Sequence, residues 1–487
     1  MRALHWFRAD LRAEDNTALH EACRQSDDGV MAVFLIADDQ WGEHDWAPVK
    51  VDFIRRTLHE LSERLAVRNI PLLIRRAPRF DDAPEALLDV ARTHDCDALF
   101  VNQEYEVNER RRDEKVERAF RDDGREVFSF HDQTILVPDS VRTNDDGFYS
   151  VFTPFKRRWL ENARELGVGD ARPMPKKQTP LPIKPDPIPE RLGAYDEARS
   201  AWSDLWPAGE SNAKRRLTAF VEHRVRDYRE QRDFPGTDGT SQLSPFLTLG
   251  VISPRQCLAA ALEANRNRLS GGAKGIDTWI SELVWREFYR HVLVGWPRVS
   301  MNRPFRPEGD SVPWREAPDD LQAWKEGRTG FPIVDAGMRQ LAEIGWMHNR
   351  VRMVVATLLS KHLLIDWREG ERHFMRNLID GDLASNNGGW QWSASTGTDA
   401  APYFRIFNPC SQSKRFDPNG VYIRQWVPEL RDAPTAELHR ERDPKDDHGG
   451  LFGGGNSAAD YPAPLVNQKE ARRRAIEVFR AAFTDGT

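Results

Sequence analysis

Seven prolines crowd residues 173–189, PMPKKQTPLPIKPDPIP. Each fixes φ near about −65° and deletes a backbone donor, so the stretch can be neither helix interior nor central strand. It suits a semi-rigid extended connector. A chain of 487 residues also exceeds what one core usually serves. The sequence therefore divides at the prolines, and the patterning differs on the two sides.

Before the join, short β-branched or aromatic runs alternate with charged stretches of helical spacing. ALHWF, VMAVFLIA, IPLLIRR, DALFVNQ and EVFSF read as strands, and residues 50–68, 84–94 and 108–122 read as helices. Repeated strand–helix order predicts a doubly wound parallel sheet with its ligand crevice at the carboxyl ends of the strands. From about residue 200 the strand-like alternation nearly vanishes, and an almost all-α domain is expected. The expected division is an α/β domain at 1–131, a linker at 132–199, a helical domain at 200–475 and a short tail at 476–487. No internal repeat is visible. GGLFGGGN at 449–456 lacks the Lys-Ser/Thr of a phosphate loop and reads as a surface loop.

Composition excludes more than it selects. Cys23, Cys96, Cys257 and Cys410 lie far apart with no C-x-x-C pairing, which argues against a disulfide framework or a zinc site. The N-terminal MRALHWFRADLR offers no export signal, and VVATLLSKHLLI is interrupted by Lys361 and His362 before it could span a bilayer. A cytoplasmic protein is expected. Net charge is −6, so only a local basic surface would bind nucleic acid. Tryptophan stands out: twelve of sixteen lie beyond residue 200.

Several of these indoles fall in patterned segments. On a helical wheel, IDTWISELVWREFYRH (276–291) puts Ile280, Val284 and Phe288 on a core stripe and gathers Trp279, Glu282, Trp285, Arg286 and Tyr289 on another arc. The bland alternative is that these aromatics pack against a neighbour while Glu282 and Arg286 pair at i,i+4. WMHNRVRMVVATLLSKH, from 346, sets Val351, Val354, Val355 and Leu358 against Asn349, Arg352 and Met353. His348 and His362 lack a second ligand at i+3 or i+4 and read as structural, so no metal is assigned. DGTSQLS (238–244) offers Thr240, Ser241 and Ser244 hydroxyls suited to a pyrophosphate, the alternative being a helix cap. DGDLASNNGGWQW (380–392) runs polar residues and glycines into Trp390 and Trp392, a pairing of polar cradle and aromatic plates that ordinary helices and loops avoid.

Together these segments resemble the DNA photolyase/cryptochrome family, specifically its class I cyclobutane pyrimidine dimer photolyases. The resemblance rests on QRDFPGTDGTSQLS, WISELVWREFYRH, GWMHNRVRM, DWREGERHFM and LIDGDLASNNGGWQWSASTGTDAAPYFRIFNP, with WFRADLRAEDNTAL and NQEYEVNERRRDEKVERA in the first half. It covers nearly the whole chain. It implies a light-driven carbon–carbon lyase that repairs pyrimidine dimers in UV-damaged DNA, with FAD in the helical domain and an antenna chromophore in the α/β domain. A monomer without membrane or obligate protein partner is expected.

The resemblance also implies roles for particular residues. Asp380, Gly381, Asp382 and Asn386 would cradle the flavin; Tyr228 and Thr240, Ser241, Gln242, Leu243 and Ser244 would contact its pyrophosphate and ribityl chain. Trp279, Glu282, Arg286, Asn349 and Arg352 would lie along it, and Trp390, Trp367 and Trp314 would relay electrons to the surface. Trp285 and Trp392 would stack on a flipped-out dimer, with Glu282, Arg286, Tyr289, Arg232, Asn349, Arg350, Met353 and Gln412 near the lesion or its backbone. His44, Asn108 and Glu109 match members whose antenna is 5,10-methenyltetrahydrofolate; Ser300 and Met301 depart from that pattern, which leaves a deazaflavin antenna open. Glu282 and Asn386 would act at the reaction centre, where electron transfer needs no nucleophile or general base. The alternatives are a cryptochrome-type blue-light receptor of the same fold, a (6-4) photoproduct enzyme, which in the family uses a histidine pair where this chain has His348-Asn349, and a light-independent nucleotide-binding protein.

Overall fold

A computed structural model of the chain describes residues 1–195, 200–444 and 461–484. The Gly-rich 449–456 segment and residues 485–487 lie outside the described residues. Five strands, β1 (Ala3–Phe7), β2 (Val30–Ile36), β3 (Leu72–Arg76), β4 (Ala98–Asn102) and β5 (Glu126–Phe130), form one parallel sheet in the order β3-β2-β1-β4-β5. The order reverses beside β1, the doubly wound topology expected from the alternating pattern. β1, β2 and β4 are buried along their full length, which is why they read as apolar runs without alternation.

Helices Pro48–Ala66, Ala83–Thr93 and Val107–Asp122 fall within two residues of their expected bounds. Two shorter helices, Thr17–Gln25 and Asp38–Glu43, were not expected. The first is set by a local cap, since the Asn16 side chain accepts from Leu19 N at 3.0 Å. The second is too short to show a period.

The proline-rich stretch is extended, as its composition requires, yet it is no free spacer. Asp186 N donates to Leu72 O at 2.9 Å and its carboxylate accepts from Ile74 N at 2.9 Å, so the stretch pairs with the edge strand β3. Leu181 and Ile183 pack on the sheet core, and Gln178 bridges to both backbone groups of Val30. A chain poor in donors thus covers an edge that would otherwise invite strand addition.

The described residues form two compact units. One holds Met1–Arg229, Ser241–Ser300 and Ile379–Asp382; the other holds Glu230–Thr240, Met301–Leu378 and Leu383–Thr487. In the first, the loop after β1 is locked to the later helices by buried charge. Asp132 accepts from Arg12 and, at 2.6 Å, from Arg255; Arg255 also reaches Asp15 at 3.1 Å. Gly250 sits at φ +60, and a Cβ there would lie 2.2 Å from Ala9 O, so the close approach requires glycine. The second unit is built on an apolar core that includes Trp324, Met347, Val355, Leu359, Trp367 and Trp390. Its C-terminal helix, Gln468–Thr484, runs through the expected tail boundary because Ala471, Ala475 and Phe479 bury at helical spacing. No helix among the described residues is long and apolar enough to cross a membrane.

Candidate functional site

In the first unit, helix Lys274–Gly295 carries two stripes, as the wheel requires. Ile280, Val284 and Phe288 are buried, and the other arc divides by chemistry. Trp279 packs 5.0 Å from Phe220, which in turn meets Tyr228 edge-on at 5.8 Å, so Trp279 and Tyr228 share one aromatic neighbour. Trp285 lies flat on Phe152, 3.6 Å away and 11° from parallel, leaving its opposite face to other partners; Tyr289 tilts against it at 5.7 Å. Arg286 donates to the carbonyls of Gln133 (2.6 Å) and Leu247 (3.1 Å), which directs its charge inward. Glu282 is half-buried on the same arc.

Two residues of this helix went unremarked in the sequence. Glu287 is buried, accepts from Trp159 Nε1 at 2.5 Å, and is pushed up to about 7 by desolvation. Arg290 forms a buried pair with Asp382 at 2.5 Å. The signal for Arg290 was available: it stands one turn from Arg286 on the same side of the wheel.

The Asp380–Asp382 turn is anchored at each residue. Thr248 Oγ1 donates to Asp380 O at 3.3 Å, Lys50 Nζ donates to Gly381 O at 2.8 Å, and Arg290 holds the Asp382 carboxylate. Of the hydroxyl loop, Ser241 accepts from Leu243 N (3.4 Å) and Gln242 accepts from Arg216 (2.8 Å) at a left-handed φ of 49. Leu243 is buried, and Ser244 opens helix Ser244–Thr248.

At the carboxyl ends of β1 and β2, a partly open cavity of about 80 Å³ is lined by Trp6, Phe34, Trp41, Trp46, Lys50 and Glu109, among others. Trp41 and Trp46 stack at 5.3 Å, nearly parallel, and the Lys50 ammonium lies 3.7 Å over Trp46. Burial pulls Lys50 down to about 8, with Asp382 and Glu106 pushing the other way; burial and then Glu106 push Glu109 up to about 8. His44, Asn108 and Glu109 do meet: Asn108 Nδ2 reaches His44 Nε2 at 3.1 Å and His44 Nδ1 stands 3.5 Å from Glu109. Lys50 escaped the sequence reading, although it occupies the stripe of Ile54, Thr57, Leu58 and Leu61, where an unpartnered charge does not belong.

In the second unit, helix Leu383–Ala394 takes in SNNGGWQW. Ser385, Gly388, Gly389 and Trp392 share its more exposed side, and its buried side is itself polar at Asn386, Asn387 and Gln391, so no apolar stripe can be read from the sequence. Asn386 Nδ2 donates to Glu371 O (3.0 Å) and Gln391 Nε2 to Asn387 Oδ1 (2.7 Å). Helix Asn349–Thr357 packs against it, with Arg352 and Met353 half-buried and Asn349 exposed. Arg350 and Arg232 both approach Asp233, at 2.9 and 3.9 Å. His348 caps that helix, accepting from Arg350 N, and His362 bonds Phe407 O, both buried and structural.

Trp390 and Trp367 are buried in the core, and Trp314 packs at its margin, half-buried, edge-on to Phe479 at 5.8 Å. Gly370 makes room for Trp390: a Cβ there would stand 2.1 Å from the indole. Trp324 meets Trp390 edge-on at 6.0 Å. Trp392 is half-buried 6.3 Å from Phe407; Thr240 and Gln412 are half-buried, the latter with an unpartnered, buried Oε1.

Comparison with known proteins matches residues 3–180 to the DNA photolyase family and 279–481 to the FAD binding domain of DNA photolyase. The deoxyribodipyrimidine photo-lyase of Escherichia coli (strain K12) is 46% identical over 482 residues, covering 98% of each chain. Among solved structures, a bacterial class III photolyase from Agrobacterium tumefaciens superposes with a TM-score of 0.85 at 34% identity, covering 99% of this chain and 98% of that one. An archaeal photolyase from Sulfolobus tokodaii with two FAD molecules gives 0.79 at 30% identity, covering 99% and 100%.

Proposed function

The chain belongs to the DNA photolyase family, and from that premise we propose that it is a light-driven lyase that opens cyclobutane pyrimidine dimers in DNA. The observation that carries the reading is likeness running end to end, through both family regions, to a relative named deoxyribodipyrimidine photo-lyase. Bound FAD, reduced and excited by light, supplies the electron that splits the dimer.

The donor set suits such a cofactor. In the first unit, Tyr228 and the Ser241–Ser244 hydroxyls serve the pyrophosphate and ribityl chain, Asp380 and Asp382 present carboxylates on a fixed turn, and Trp279, Glu282 and Arg286 line the arc beside them. In the second, Thr240, Asn349, Arg352 and Asn386 are the residues with flavin-binding roles, Asn386 offering a neutral amide from its buried position on the helix. Trp390, Trp367 and Trp314 pass electrons from core to margin, which fits two buried indoles followed by a half-buried one.

A dimer that has lost its pairing costs less to flip from the stack. Trp285 and Trp392 give it indole faces, each worth about 1–3 kcal/mol of stacking in other systems. Glu282, Tyr289, Arg232, Arg350, Met353 and Gln412 contact the lesion or its backbone. The proposed division is an α/β antenna domain at 1–131, a linker at 132–199, a helical FAD-binding catalytic domain at 200–475 and a short tail at 476–487. The enzyme acts as a cytoplasmic monomer on UV-damaged DNA.

The antenna is 5,10-methenyltetrahydrofolate at His44, Asn108 and Glu109. The aromatic cavity lined by Trp6, Trp41, Trp46 and Glu109 favours a second reading, a tricyclic deazaflavin. Absorbance spectra of released chromophores separate the two. For the activity itself, reduced enzyme on a thymine-dimer oligonucleotide should repair it in light and not in darkness, with a (6-4) substrate left intact. Inert dimers under illumination would refute the reading, and DNA affinity indifferent to UV damage would favour a light-independent binding protein.

A further inference from the structure

Two of the three anchors of the Asp380–Asp382 turn, Lys50 and Thr248, are also walls of the aromatic cavity. One side chain therefore answers to both places. The Lys50 side chain is buried at 4% exposure, its ammonium spending one face on the Trp46 ring and one N–H on Gly381 O. Thr248 repeats the arrangement one residue earlier in the turn. Arg290, the third anchor, stands outside the cavity lining.

We propose that Lys50 is a positioning residue that couples occupancy of the cavity to flavin binding, by holding the Gly381 carbonyl and with it the carboxylates of Asp380 and Asp382. This rests on the reading that those carboxylates face the flavin. A chromophore filling the cavity confines Lys50 and Thr248 against the turn, so the turn is already ordered when FAD arrives and less ordering remains to oppose binding. Linkage makes the effect reciprocal: FAD tightens the cavity ligand by the same factor.

The test uses the full chain stripped of chromophores and titrated with FAD alone, with saturating 5,10-methenyltetrahydrofolate, or with a saturating deazaflavin, reading flavin fluorescence. The wild type should bind FAD about fivefold or more tightly with whichever probe enters the cavity, the lower range of measured couplings. Lys50→Met keeps the stem and removes the ammonium; its coupling should fall to about one, with Lys50→Arg restoring it. Thr248→Val, a milder change, should lower the coupling without erasing it, and it serves if Lys50→Met does not fold. Wild-type affinity indifferent to both probes, or coupling that survives in Lys50→Met, overturns the proposal alone. Failure of the wild type to bind FAD overturns the flavin reading as well.

Discussion

Each unit buries a lysine, and the two are handled in opposite ways. Lys50, in the first, sits among carboxylates: Asp382, Glu106, Glu109 and Glu104 all favour its charge, and burial still pulls it down to about 8. Lys361, in the second, has a Ser395 hydroxyl at 2.9 Å and the Phe479 ring at 3.3 Å, and burial alone drives it well below its ordinary value. The first unit is held by compensated charge, the second by dry packing around indoles. A charge-dense lining suits orientation of polar ligands, whereas the apolar core buries Trp390 and Trp367 away from water, the Arg368 guanidinium lying 4.8 Å from the Trp367 ring.

The contrast breaks most visibly at the relay. Trp390→Phe should abolish photoreduction of oxidised flavin while chemically reduced enzyme still repairs in light; flash absorbance and a repair assay on the same preparation check both halves. In the first unit, Asp132→Ala removes the carboxylate that Arg12 and Arg255 share, leaving Arg255 to Asp15 alone, and should cost about 3–5 kcal/mol, read from the denaturant midpoint at unchanged slope. The second unit should instead be sensitive to volume. Gly370→Ala drives a methyl into Trp390 and should cost about 1–3 kcal/mol, with a change in near-UV circular dichroism.

The lysines sharpen the comparison through pH. A lysine whose folded pKa is lowered binds fewer protons folded than unfolded between that pKa and about 10.5, so stability rises with pH across that window, by about 1.4 kcal/mol per unit for one group. For Lys50 the window opens near pH 8; for Lys361 it opens well below the ordinary lysine value of about 10.5. Lys361→Met should therefore lower the slope of stability against pH below about 10.5, whereas Lys50→Met should leave the profile below pH 8 unchanged in slope. Urea melts at pH 6, 7.5 and 9 distinguish the two.

Local patterning made much of this readable. The alternation of VMAVFLIA and its partners predicts a parallel sheet because strands covered on both faces must be apolar throughout, and the wheel of 276–291 separates core from site because helical spacing is fixed by geometry. The hydroxyl loop is legible from its own residues, whereas the relay tryptophans and the histidine–asparagine–glutamate group come from the resemblance. The structure brings the last three within hydrogen-bond or ion-pair reach. The helix at 383–394 is not readable, since its buried side carries Asn386, Asn387 and Gln391 and so shows no apolar period.

The sequence by itself determined the layers of the fold, the location of the indoles and the family, because spacing, burial preference and long motifs are properties of neighbouring residues. Only the tertiary structure decided that the prolines would cover β3, that Arg290 would meet Asp382 ninety-two residues away, and that Lys50 would end on Gly381. Contacts so distant along the chain cost loop entropy that local pattern does not encode, and a buried charge is acceptable only once its remote partner is in place.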